Sequence, residues 1–86
     1  MYEIVLSKQG VKDAKKIASS GLKPKVEKLL KIIEKNPFES PPFYEKLKGN
    51  LEGFFSRQIN IQHRLVYEVF EEDKIVRILR MWTHYE

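Results

Sequence analysis

The sequence predicts a two-layer α+β domain of order β-α-α-β-β-β, with a helical pair packed on one face of an antiparallel four-stranded sheet. Three observations lead there. Apolar residues recur at 3,4 spacing through residues 8–35, the periodicity becomes that of strands beyond residue 53, and the later segments are joined by short polar connections. A chain of 86 residues has room for a single domain (1–86) with one small core. At 42% apolar and 33% charged, with five Phe, four Tyr and one Trp, it is too hydrophobic to stay disordered.

Residues 2–6 (Tyr-Glu-Ile-Val-Leu) are short, β-prone and bounded by Ser7, so they read as an opening strand added at a sheet edge. Ser7 suits the N-cap of a helix over about 8–19, whose Val11, Ala14, Ile17 and Ala18 share one face with lysines on the other. Ser19-Ser20-Gly21 breaks that pattern. A second helix is predicted over 22–35, with Pro24 tolerable in its first turn and a stripe of Val26, Leu29, Leu30 and Ile33. Asn36-Pro37 ends it. Residues 36–53 hold three prolines and two glycines without sustained periodicity, which predicts a loop with at most a short helical turn. Strands over 54–59, 64–70 and 75–82 follow, joined by the polar Asn60–His63 and the charged Glu71–Lys74, and they form a meander. The helices cover one sheet face and leave the other open.

Several function classes are excluded at once. With no cysteine there is no disulfide framework, thiol catalysis or cysteine-based zinc site, which fits a reducing compartment and a cytoplasmic protein. No apolar run reaches the ~18 residues of a membrane span, and the first thirty residues are too charged for a signal peptide. The net charge of +4 is unevenly spread: residues 8–35 carry nine lysines against Asp13, Glu27 and Glu34. Such a stretch attracts polyanions, although lysine is also an ordinary occupant of a solvated helical face. There is no phosphate-binding glycine loop, H-E-x-x-H or nucleophile elbow, and two histidines without clustered carboxylates predict no metal and no cofactor.

What remains is polar and basic: Glu45, Lys46, Lys48, Arg57, His63, Arg64, His84 and Tyr85. Taken singly these are ordinary residues. Glu45 and Lys48 read as solvated loop positions and His63 as part of a turn. Arg57 and Arg64 read as surface ion-pair partners, His84 as a residue near a chain end, and Trp82 as rim packing. Their order along the chain changes the weighing. Asn36-Pro37-Phe38-Glu39, then Glu45-Lys46-Leu47-Lys48-Gly49-Asn50-Leu51-Glu52-Gly53-Phe54-Phe55-Ser56-Arg57, then His63-Arg64-Leu65-Val66-Tyr67 and a closing His84-Tyr85 resemble the YoeB (Txe) family of the RelE superfamily. The family's P-L-K-x-N-L-x-G-F-W-S-R-R pattern stands here with Lys46 for the proline, Phe55 for the tryptophan and Gln58 for the second arginine.

The resemblance implies a RelE-like fold and the toxin of a bacterial type II toxin–antitoxin system. It implies a ribosome-dependent endoribonuclease that cuts mRNA in the decoding site and is held inactive by an acidic antitoxin of the YefM/Phd-like kind. Monomer and homodimer both stay open. Carried over by position, Glu45 is the general base, His84 the general acid, Arg64 the phosphate-stabilising cation, Lys48 a supporting cation, and Tyr85 a residue that orients or stacks on substrate. Lys46, Arg57 and Trp82 are candidate RNA contacts. The chemistry is coherent on its own terms: RNA carries its nucleophile, the 2′-OH, so cleavage needs a base, an acid and a cation, and no metal. Glu86 adds negative charge two residues from His84, which favours the imidazolium and keeps that acid loaded. Two rivals remain. One is a gyrase-poisoning relative with the same fold, which has no use for an acid–base set; the other is a non-catalytic basic nucleic-acid-binding module, which accounts for the lysine helices alone.

Overall fold

The computed structural model describes residues 1–82. In chain order these form β1 (Glu3–Leu6), α1 (Lys8–Ser20), α2 (Lys23–Lys35), β2 (Tyr44–Lys46), a 3-10 turn (Gly49–Leu51), β3 (Phe55–Gln58), β4 (Arg64–Phe70) and β5 (Ile75–Arg80). The sheet has five strands in the order β1-β5-β4-β3-β2, rather than the expected four. It is mixed rather than antiparallel, because β1 runs parallel to β5 while the other pairs are antiparallel. The two helices carry the chain from one edge strand back across the sheet, a crossover that permits the parallel pairing. The added strand, β2, lies inside the segment expected to be loop. Three residues after a run of prolines are too few to display an alternation, so this strand is specified by its partner β3.

Ser7 caps α1 as expected, accepting from the Gly10 backbone N–H at 2.9 Å, and its hydroxyl donates to the Leu79 carbonyl at 2.6 Å. Gly21 closes the helix in the left-handed region at φ 82°. The buried face of α1 is Gly10, Asp13 and Ile17, rotated from the predicted stripe: Ile17 is buried and Ala14 packs against the core as expected, whereas Val11 and Ala18 lie exposed. The rotation follows from close contact with β5. A Cβ on Gly10 would fall 2.9 Å from the Ile78 carbonyl oxygen, so only glycine allows the helix this near. Helix α2 buries Val26, Leu29 and Ile33 as its 3,4 spacing predicts.

One core results. Ile17, Val26, Leu29 and Ile33 from the helices pack on Leu65, Tyr67, Val76, Ile78 and Met81 from the sheet. A second, aromatic layer joins Phe38, Tyr44, Phe55 and Tyr67 at centroid separations of 5.2–6.1 Å. It fastens the 36–43 segment and β2 to the central strands.

Candidate active site

The register of β2, β3 and β4 decides which predicted residues can meet. Glu45 pairs with Ser56, and Ser56 with Val66, so the three form one cross-strand row. Tyr44, Phe55, Arg57, Leu65 and Tyr67 belong to the helix-covered face, so Glu45 and its row look the other way. Arg64 is two residues from Val66 on β4 and shares that face. With strands about 4.8 Å apart, the Glu45 and Val66 α-carbons are about 10 Å apart, and Arg64 lies one further pleat along. Long side chains span such a gap with a phosphodiester between them. Glu45 is exposed on its edge strand, Arg64 is half-buried and donates to the Asn60 carbonyl at 3.3 Å, and Ser56 and Val66 form a buried floor.

The lysines stand to one side. Lys46 follows Glu45 and therefore falls on the opposite face of β2, in register with Phe55. Lys48 is exposed and leads into the 3-10 turn. Together with Leu47, Glu52, Phe54 and Phe55 they line an open recess of about 640 Å³ at the sheet edge.

Arg57 does something other than meet RNA. It is 1% exposed, and its guanidinium donates to the Tyr67 hydroxyl at 3.1 Å and to the carbonyls of Pro42, Pro37 and Glu39 at 2.8, 3.0 and 2.9 Å. It also lies over the Tyr44 ring, 5.1 Å from the centroid. A buried guanidinium is tolerable only when its donors are met, and here loop carbonyls meet them. The residue is thus the clamp that holds the proline-rich segment before β2, and through it Glu45. Tyr67 shares the arrangement, since its hydroxyl donates to the Pro37 carbonyl at 2.7 Å. Burial pushes its phenol above the usual 10.0, against the opposing pull of Arg57.

Trp82 is half-buried and stacks on His63, with centroids 4.2 Å apart and planes 21° off parallel. One of its faces is thereby occupied, and His63, left as a turn residue by sequence, is its packing partner. His84 and Tyr85, predicted as acid and orienting residue, and Glu86 beside them, lie outside the described residues.

Sequence reasoning missed Asp13. This carboxylate, 1% exposed on α1, accepts from the backbone N–H groups of Met81 at 3.0 Å and Trp82 at 3.3 Å, and from Gln9 Nε2 at 2.8 Å. It fixes the path of the chain where β5 ends, two residues before His84. The available signal was a carboxylate at 3,4 spacing between Gly10 and Ile17, which a search for apolar stripes passes over.

Among the described residues, no helix is long and apolar enough to cross a membrane. Residues 8–85 match the family of YoeB-like toxins of bacterial type II toxin–antitoxin systems. The chain is 39% identical over 62 residues to the toxin YoeB of Synechocystis sp., an alignment spanning 72% of this chain and 70% of that protein. The toxin in the YoeB–YefM complex from Staphylococcus aureus superposes with a TM-score of 0.83 at 38% identity, with 99% of each chain covered. The Staphylococcus aureus YoeB dimer gives the same score and identity over 98% of each chain. Family match, relatives and superposition agree with the fold and with the ordered motifs, and the chain belongs to the YoeB-like toxins of type II toxin–antitoxin systems.

Proposed function

We propose that this toxin is a ribosome-dependent endoribonuclease that cleaves mRNA by acid–base transphosphorylation. The observation that carries the reading is the shared face of Glu45 and Arg64, which the sheet register puts on either side of a buried floor. Glu45 removes the proton of a ribose 2′-OH as that oxygen attacks the adjacent phosphorus. Arg64, with Lys48 in support, offsets the charge that builds on the phosphoryl oxygens. His84 gives a proton to the departing 5′-oxygen, and Tyr85 orients the nucleotide. The products are a 2′,3′-cyclic phosphate and a free 5′-hydroxyl. Positioned acid–base groups contribute roughly 10²–10⁴-fold each, and oriented cations a similar factor. Lys46 and Trp82 are RNA contacts at the rim.

The ribosome supplies what the free protein lacks. Glu45 is exposed at an edge strand rather than held in a pocket, so a substrate must be brought to it. Alignment of substrate in the decoding site can contribute about 7 kcal/mol or more. The Staphylococcus aureus toxin is known in complex with YefM and as a dimer. By likeness, this chain is held inactive by an acidic antitoxin of that kind and can self-associate, and it acts in the bacterial cytoplasm, where ribosomes are.

The test is a purified translation system in which cut sites on mRNA are mapped and the end chemistry is read. The unaltered toxin should leave cyclic phosphate ends on translated message and little cleavage on naked RNA. Glu45→Gln, Arg64→Ala and His84→Ala should each lower the rate at least a hundredfold while retaining ribosome binding. Equal cleavage of naked and translated RNA, or full activity in His84→Ala, overturns the proposal.

A further inference from the structure

We infer that Arg80 is a second phosphate-binding cation of this face, gripping the RNA backbone beside the linkage that is cut. The inference deepens the nuclease reading and rests on it. A regular strand would point Arg80 the same way as Ile78, into the core. The β4–β5 ladder does not run regularly: Tyr67 pairs with Ile78 but Val66 pairs with Arg80, so Leu79 is an extra residue. The bulge resets the alternation, and Met81, 2% exposed among the core side chains, shows the reset phase. Arg80 therefore joins the row Glu45–Ser56–Val66 on the face opposite the helices.

Its surroundings leave one donor unanswered, and the diagonal carboxylate on the other side, Glu68, is already engaged by Arg77. Among the described residues, Nε of Arg80 is buried and has no hydrogen-bond partner. Arg77, three residues earlier on the same strand, is by contrast paired with Glu68 at 2.7 Å. A buried donor on a permanent cation is costly to leave unmet, and such an atom in a native fold marks a place where an acceptor belongs. Arg64 is the diagonal cross-strand neighbour of Arg80, its α-carbon about 7–8 Å away. Two guanidinium groups side by side on one face repel until an anion lies between or along them. The fork geometry of guanidinium matches phosphate oxygens, and a ribonucleotide strand presents one phosphate per residue. With Arg64 assigned to the reacting phosphate, Arg80 falls to a neighbouring one, across the floor from Glu45. It is a positioning residue, engaged equally before and during the reaction.

A salt titration isolates this role. Binding of a 2′-O-methylated, uncleavable single-stranded RNA to the full chain is measured over a range of salt concentrations. Each phosphate contact contributes about 0.7 to the slope of log K against log salt for single strands. Arg80→Gln should make the slope shallower by about 0.7 and weaken binding. Arg80→Lys should keep the slope and lose only part of the affinity, since it retains charge without the fork. Arg77→Gln should leave the slope unchanged. In the translation assay, Arg80→Gln should raise KM more than it lowers kcat. A wild-type slope in Arg80→Gln with intact folding overturns the inference, as does an equal effect in Arg77→Gln or no measurable RNA binding by the unaltered protein. If Arg80→Gln is unfolded by circular dichroism, a wild-type affinity and steeper slope in Arg80→Lys overturn it instead. Loss of slope in Arg80→Gln alongside no cleavage by the unaltered toxin on ribosomes would sink the nuclease reading and leave the phosphate site standing.

Discussion

Replacing Arg57 with methionine keeps most of the buried volume and removes every donor of the clamp. Its consequences can be worked group by group. The Pro37 carbonyl keeps a partner, because Tyr67 still donates to it at 2.7 Å. The carbonyls of Glu39 and Pro42 do not, having accepted from Arg57 at 2.9 and 2.8 Å. Orphaning a buried acceptor costs about 1–3 kcal/mol, and both are part-buried, so water recovers some of the loss. Adding the lost bond to the Tyr67 hydroxyl gives about 2–5 kcal/mol. The total stability of a domain this size is only about 4–13 kcal/mol. Urea unfolding should show that loss, with a fall in Tm of at least about 10 °C. Arg57→Lys should lose about half as much, because one ammonium cannot reach all four acceptors. Cleavage should fall with stability, since the clamped segment leads into the strand that bears Glu45. An Arg57→Met protein within about 1 kcal/mol of the unaltered one would refute the clamp.

Two further outcomes follow from buried groups. Burial holds the Tyr67 phenol above 10.0, so the unfolded chain releases that proton first. Stability should be undiminished below pH 10 and should decline as pH rises from there through the raised native value. Arg57→Met should raise that native value further by removing the guanidinium that favours the phenolate, and tyrosinate absorbance during alkaline titration reads both effects. Asp13→Ala should leave the Met81 and Trp82 amides without their acceptor, speeding their hydrogen exchange and lowering RNA cleavage at least tenfold. Asp13→Asn, whose amide oxygen can still accept, should preserve both.

Helix α2 was legible because it buries one face of an amphipathic pattern, α1 because its cap and its 3,4 period mark a helix even where its buried face is rotated, and β4 because its run of β-branched and aromatic residues is buried on both faces. What was not legible depends on pairing between distant segments. Tyr44–Lys46 becomes a strand only by adding to β3, and no local pattern announces it. Arg57 reads as surface charge because burial of a guanidinium depends on four acceptors brought from elsewhere in the chain. Asp13 is concealed for the same reason, its partners lying 68 and 69 residues away. For the site, Glu45 and Arg64 were named from ordered motifs, and the register unites them on one face. Arg80 escaped because a single inserted residue, Leu79, reverses the facing that strict alternation assigns to it.

The tie from Asp13 to the end of β5 has a temporal meaning. During synthesis the first helix leaves the ribosome tens of residues before the amides it must hold exist. Until they arrive, its carboxylate has nothing of the far segment to grasp, and the exit from β5 is unset. A half-made chain therefore lacks this tie, and the first helix and the last strand are fastened to each other only once both exist.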